Sequence, residues 1–209
     1  MLLELNTFTL KTGALATFED LFASGVQPAR ARNCQLRGAW RTEIGPLNQV
    51  VLLWSHADWQ AYGRDRDELD THLAKASPAG WEDIIHGEDS VVMKPAPFMR
   101  SLASRQFGSD NIYEMRTYTY NAIGVARSIE RWAEKIEARE KYSPLVACMY
   151  SMSGRLHQFV TVWVYKDFAD KARVRAAVKQ EPNWPPRAKQ WMVHQENKYM
   201  IPLSFSPLL

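Results

Sequence analysis

Two carboxylates, Glu4 and Glu43, have the type and placement that proton transfer needs, since each sits in a stretch that reads as a β-strand. They would face each other if strands one and three flank strand two, although pairing with Arg37 or Arg41 is the plainer role for strand-end carboxylates. His157 and Asn48 lie beside two similar turns, where either could orient a bound molecule or simply hydrogen-bond its own backbone. Trp40, Trp54, Trp59 and Trp81 could wall an apolar ligand pocket between a sheet and its helices, and they would serve equally well as core. The ligand-binding candidates are therefore Trp40, Asn48, Trp54 and Trp59, and the catalytic candidates are Glu43, Glu4 and His157. His56, His72, His86, His157 and His194 are scattered singly, and none has a second ligand at helical or hairpin spacing, so no metal site is expected. No phosphate-binding loop, Cys-x-x-Cys, His-Glu-x-x-His or Gly-x-Ser-x-Gly occurs, and no cofactor is expected. Whether the protein is an enzyme stays open at this level.

The element that would carry these residues is a hairpin, Gly38 to Ser55, whose strands flank Ile44-Gly45-Pro46-Leu47. Its pattern returns in Ala147 to Val164, where Gly45, Leu47, Gln49, Val51 and Trp54 are answered by Gly154, Leu156, Gln158, Val160 and Trp163. Around each hairpin the chain reads strand, helix, hairpin, helix, strand. Leu2 to Leu10 is the first strand, and Leu15, Phe18, Leu21, Phe22 and Val26 form a helical stripe that Pro28 ends. Ser55 or Asp58 caps a second helix, Ser77-Pro78 opens a short third, and Ser90 to Lys94 is a strand. In the second half Ile112 to Tyr120 answers the first strand, Asp167 caps a helix, and Lys198 to Ile201 is the last strand. The expected fold is α+β, two tandem ferredoxin-like βαββαβ repeats, at 1–98 and 111–209 with a linker at 99–110. Both faces of strand three are apolar (Val50, Leu52 and Trp54 against Val51 and Leu53), so the antiparallel sheets should pack face to face as an α/β barrel. Remaining apolar surface would serve a homodimer.

Composition narrows the partners. A net charge of +3, evenly spread, gives no basis for nucleic acid, and the aromatic-glycine signature of an RNA recognition motif is missing. Two cysteines do not make a disulfide framework, and no segment approaches a membrane span. The expectation is a cytoplasmic protein without an export signal. The stripe Arg127, Arg131, Lys135 and Arg139 reads as a solvated helix face, with an interaction surface as the alternative.

Leu36 to Val50, with its Trp-Arg-Thr-Glu-Ile-Gly-Pro-Leu-Asn-Gln core, resembles the NIPSNAP family, as do Tyr113-Glu114-Met115-Arg116-Thr117-Tyr118 and Arg173-Val174-Arg175. The resemblance spans nearly the whole chain and implies tandem ferredoxin-like repeats in a dimeric α/β barrel. It implies no agreed activity. Related barrels include cofactor-free monooxygenases and haem-handling proteins, so it admits a small apolar or aromatic ligand as well as a non-catalytic interaction module. The second turn departs from the pattern, with Ser153-Gly154-Arg155-Leu156-His157-Gln158 in place of Gly-Pro-Leu-Asn.

Overall fold

The computed structural model describes residues 1–102 and 106–209. Residues 103–105, within the expected linker, lie outside the described residues. Eight strands form: β1 (Leu2–Leu10), β2 (Gln35–Ile44), β3 (Gln49–His56), β4 (Ile85–Pro95), β5 (Ile112–Tyr120), β6 (Leu145–Ser151), β7 (Gln158–Tyr165) and β8 (Met192–Pro202). All neighbours pair antiparallel, in the order β1-β3-β2-β8-β5-β7-β6-β4, and the sheet closes on itself. The two ferredoxin-like sheets thus join at both edges, which removes every barrel edge that would otherwise need cover.

Closure explains the two-sided apolar strands. Leu3, Leu5, Val51 and Leu53 of the first half meet Tyr113, Met115, Val160 and Val162 of the second inside the barrel. The alternate residues face outward beneath helices, because successive strand side chains point to opposite faces. Phe8, Leu10, Val50, Leu52 and Trp54 form the outer core of the first half, and Tyr118, Tyr120, Phe159 and Trp163 that of the second.

The helices are α1 (Leu15–Leu21), α2 (Gln27–Arg30), α3 (Trp59–Ala76), α4 (Trp81–Ile84), α5 (Gly124–Ala133), α6 (Ile136–Glu140) and α7 (Phe168–Val178). The first does not end at Pro28. A π-helical turn, Phe22–Val26, carries the chain into α2, and Pro28 falls in its first turn, where a missing N–H costs little. Asp58, rather than Ser55, caps α3 and Asp167 caps α7, accepting the amides of Ala61 and Asp170. Gly80, at φ 89°, rather than Ser77 precedes α4. β4 and β8 run longer than Ser90–Lys94 and Lys198–Ile201 because their polar N-terminal halves stay paired to β1 and β5.

Candidate functional site

The halves align through their pairing. Glu4 opposes Trp54 as Glu114 opposes Trp163, and Leu3 opposes Met93 as Tyr113 opposes Met200. The Lys11 amide bonds the Ile84 carbonyl at 2.9 Å, and the Asn121 amide bonds that of Trp191 at the same distance. Equivalent residues can therefore be compared for what each half builds between sheet and helices.

In the first half that space is filled. Phe18 of α1 and Trp81 of α4 pack at 5.3 Å between ring centroids, and both reach Phe8 of β1. Deeper in, Glu4 accepts hydrogen bonds from Arg30 and, at 2.7 Å, from the Ser90 hydroxyl, while His56 Nε2 lies 3.2 Å from the same carboxylate. Arg30 Nη2 also donates to Asp65 at 2.6 Å, with its guanidinium 4.2 Å above the Trp54 ring. Burial pushes the Glu4 carboxyl up, but the His56 contact, the Arg30 charge and the Ser90 and Arg30 hydrogen bonds outweigh it and hold the pKa down to about 2. Cys34, His56 and Asp65 offer three donor atoms within 4.8 Å of one another. The set does not fit a divalent cation, because the Arg30 guanidinium is bound to Asp65 and burial pushes the Cys34 thiol far above its ordinary range. This is a fully buried charge network closed off from solvent, since Glu4, Arg30, His56 and Asp65 are each 2% exposed or less.

The second half keeps the frame and empties it. Ser128 stands where Phe18 does, the same distance after its helix entry, and Ala188 stands where Trp81 does, the same distance before its strand. Two large rings are thus replaced by a hydroxymethyl and a methyl. The result is a cavity of about 870 Å³, within the range of small-molecule sites, between β5, β8, α5, α7 and the segment 182–190. Tyr118, Tyr120, Trp132 and Trp184 wall it, with Trp132 edge-on to both Tyr118 (6.2 Å) and Trp184 (5.1 Å). Burial pushes the Tyr120 phenol up to about 12 and raises Tyr118 as well, so both rings present O–H groups at neutral pH.

A family model, NIPSNAP, matches residues 3–100 and 113–207. The chain belongs to the NIPSNAP family. It is 23% identical to a NipSnap homolog of Dictyostelium discoideum over 205 residues, covering 96% of this chain and 86% of that protein. Against Protein NipSnap of Drosophila melanogaster it is 25% identical over 73% of the chain, and it spans 56% of the fly protein. Among solved structures, a Fusobacterium nucleatum protein provisionally described as a monooxygenase matches with a TM-score of 0.67 at 12% identity, over 97% of this chain and 92% of that one. A Lactobacillus acidophilus protein with the same provisional description gives 0.63 at 7% identity, over 100% and 98%. At such identities the likeness is one of fold alone.

In this NIPSNAP chain the residues singled out from sequence do not converge. Trp40 is inside the barrel against Tyr113, Trp54 is outside it under the first-half helices, and Trp59 is 48% exposed. Asn48 and His157 occupy the two turns at φ 57° and 63°, both exposed. Glu43 is exposed and ion-paired with Arg41, whereas Glu4 is fully buried in the network above. Glu4 and Glu43 therefore do not form a pair. Of the four ligand candidates, Trp54 alone borders a described pocket, a shallow one of about 340 Å³. The stripe read along Arg127 to Arg139 also breaks, because the helix is interrupted at Lys135 (φ −130°) and Arg139 turns inward to 2% exposure. What sequence reasoning missed was the pair Ser128 and Ala188. The signal was present in the internal comparison, as small residues opposite Phe18 and Trp81.

Proposed function

We propose that this NIPSNAP protein binds a small aromatic or apolar molecule in the cavity walled by Tyr118, Tyr120, Trp132 and Trp184. The carrying observation is the contrast between two halves of one frame, one plugged by Phe18 and Trp81 and the other open at Ser128 and Ala188. Aromatic faces give stacking surface with little entropy cost, and the protonated phenols give hydrogen-bond donors. A cofactor-free reaction is consistent with those donors, and the monooxygenase descriptions of the two fold neighbours favour it by analogy alone.

Native mass spectrometry of freshly purified protein tests the reading, backed by titration of tryptophan fluorescence with aromatic probes. A retained small molecule, lost in an Ala188→Trp variant that copies Trp81, is the expected result. No retained mass and no fluorescence response to any probe would remove it.

The alternative is a non-catalytic interaction module using the exposed arginines of α5. Arg127 and Arg131 already pair with Glu130 and Glu134 at 3.2 and 3.5 Å, which weakens that case. A homodimer, favoured by exposed Ile44, Leu47, Met152 and Leu156 at the hairpin ends, is tested by light scattering, where a 24.0 kDa particle at micromolar concentration would remove it.

A further inference from the structure

We infer that the molecule bound in this cavity is an anion, an aromatic carboxylate, sulfonate or phosphate, held chiefly by Arg175. The inference rests on the cavity reading and adds a charge to it.

Arg66 of α3 and Arg175 of α7 are equivalent, the same distance after their capping aspartates. Arg66 has three carboxylates within 4 Å: Glu88 at 3.5 Å, Asp70 at 3.8 Å and Glu4 at 3.9 Å. Arg175 has none among the described residues. Two of the three are absent from the sequence, because Lys179 takes the place of Asp70 and Gln195 that of Glu88; the third, Glu4, is answered by Glu114, which Arg116 and Lys171 approach instead, at 3.7 and 3.9 Å. The exchange continues around the rim, with Lys189 for Glu82 and Arg116 for Asn6. Lys135 and Arg187 complete the lining, which holds six cations and no carboxylate among the described residues. Among the described residues, Arg116 alone of the six has a carboxylate within 4 Å, Glu114 at 3.7 Å.

The second half thus lacks the plug and, at four positions around the space it leaves, has lost three acids and gained three cations. Core packing explains neither change. Convergent cations repel one another, and an anion bound among them would relieve that repulsion. An anion entering the cavity would supply to Arg175 the carboxylate that Arg66 finds within its own chain. A guanidinium suits the purpose, since it binds a carboxylate or phosphate through two parallel N–H donors. Beneath the wall Arg139 adds a further buried cation, 4.1 Å from the Trp163 ring and 6.0 Å from that of Trp184.

The test uses two fluorescent probes of matched aromatic shape, anilinonaphthalene sulfonate and neutral phenylnaphthylamine, titrated into the whole 209-residue chain. The expected result is about tenfold tighter binding of the sulfonate at low salt, an advantage that shrinks as salt screens the rim charges. Arg175→Gln should cut that advantage about tenfold, as loss of a paired charge-assisted contact does. Lys179→Asp, which restores the carboxylate that Arg66 has, should cut it too, and both positions tolerate substitution because neither side chain is buried. Equal, salt-insensitive affinities for the two probes would overturn the anion inference while leaving the cavity standing. Unchanged binding of both probes to an Ala188→Trp variant, or no binding of either to wild type, would sink the cavity reading itself.

Discussion

Arg30 and Arg139 hold the same place in the two halves of the barrel, each stacked on a tryptophan, at 4.2 Å from Trp54 and 4.1 Å from Trp163. Their partners differ. Arg30 bridges Glu4 and Asp65, whereas Arg139 donates to the hydroxyls of Ser143 at 2.9 Å and Tyr165 at 3.1 Å and meets no carboxylate within 4 Å among the described residues. Burial lowers the Arg139 pKa accordingly. Removing one member of a buried ion pair strands the other, so Arg30→Met should cost about 3–5 kcal/mol. Arg139→Met strands no charge and should cost about 1 kcal/mol or less. Urea unfolding of the two variants checks the difference.

Stability should fall in acid through Glu4. Its folded pKa of about 2 lies below the ordinary carboxylate value of about 4.3, so its contribution is complete above the latter and lost as pH falls through the former. Glu4→Gln, which leaves Arg30 and Asp65 in place, should be markedly less stable than wild type at pH 7. The gap should close between about pH 4.3 and pH 2 as wild-type Glu4 takes up its proton. Thermal melts of both proteins across that range measure it, and a gap independent of pH would refute the assignment.

Gly38 is required by a close approach. A Cβ there would sit 2.1 Å from the Trp40 ring, which is fully buried in the barrel against Tyr113. Gly38→Ala should cost about 1–3 kcal/mol as an overpacked core site, read as a lower urea midpoint. Gly87→Ala, in open space on β4, serves as the control.

Neither cysteine should react in the native state. Cys34 and Cys148 are buried free thiols, and burial raises both well above the ordinary thiol pKa. Thiol titration should find none in buffer and both in denaturant. Rapid native labelling would mean that the outer cores open readily.

Much of this architecture was legible from residue patterns alone. The strands announce themselves through β-branched runs such as Val50 to Leu53, and two-sided apolarity called for closure before any sheet order was known. Asp58 and Asp167 marked helix starts because a capping side chain acts locally. Pro28 misled, since a π-turn upstream placed it where a proline is harmless. The site was the least legible part. Periodicity shows which side chains a core contains, and Trp40 and Trp54 stood out on that ground. A cavity depends instead on which bulk is missing opposite a given position, and Ser128 and Ala188 look ordinary until set beside Phe18 and Trp81.

The seams of the barrel carry a last consequence. β4 and β6 meet through Met93, Lys94 and Pro95, and Pro95 has no N–H to give, while β2 and β8 pair through Trp40 to Ile44 and end on Pro202. Within each half the ladders are longer, eight paired residues for β1 with β3 and the same for β5 with β7. The closed ring is thus two robust leaves joined by two short clasps. Slow hydrogen exchange should persist in β1, β3, β5 and β7 while Lys94 and its neighbours exchange through local parting of the thinner clasp. Such a ring would part first at its margin while the interior of each leaf stays intact.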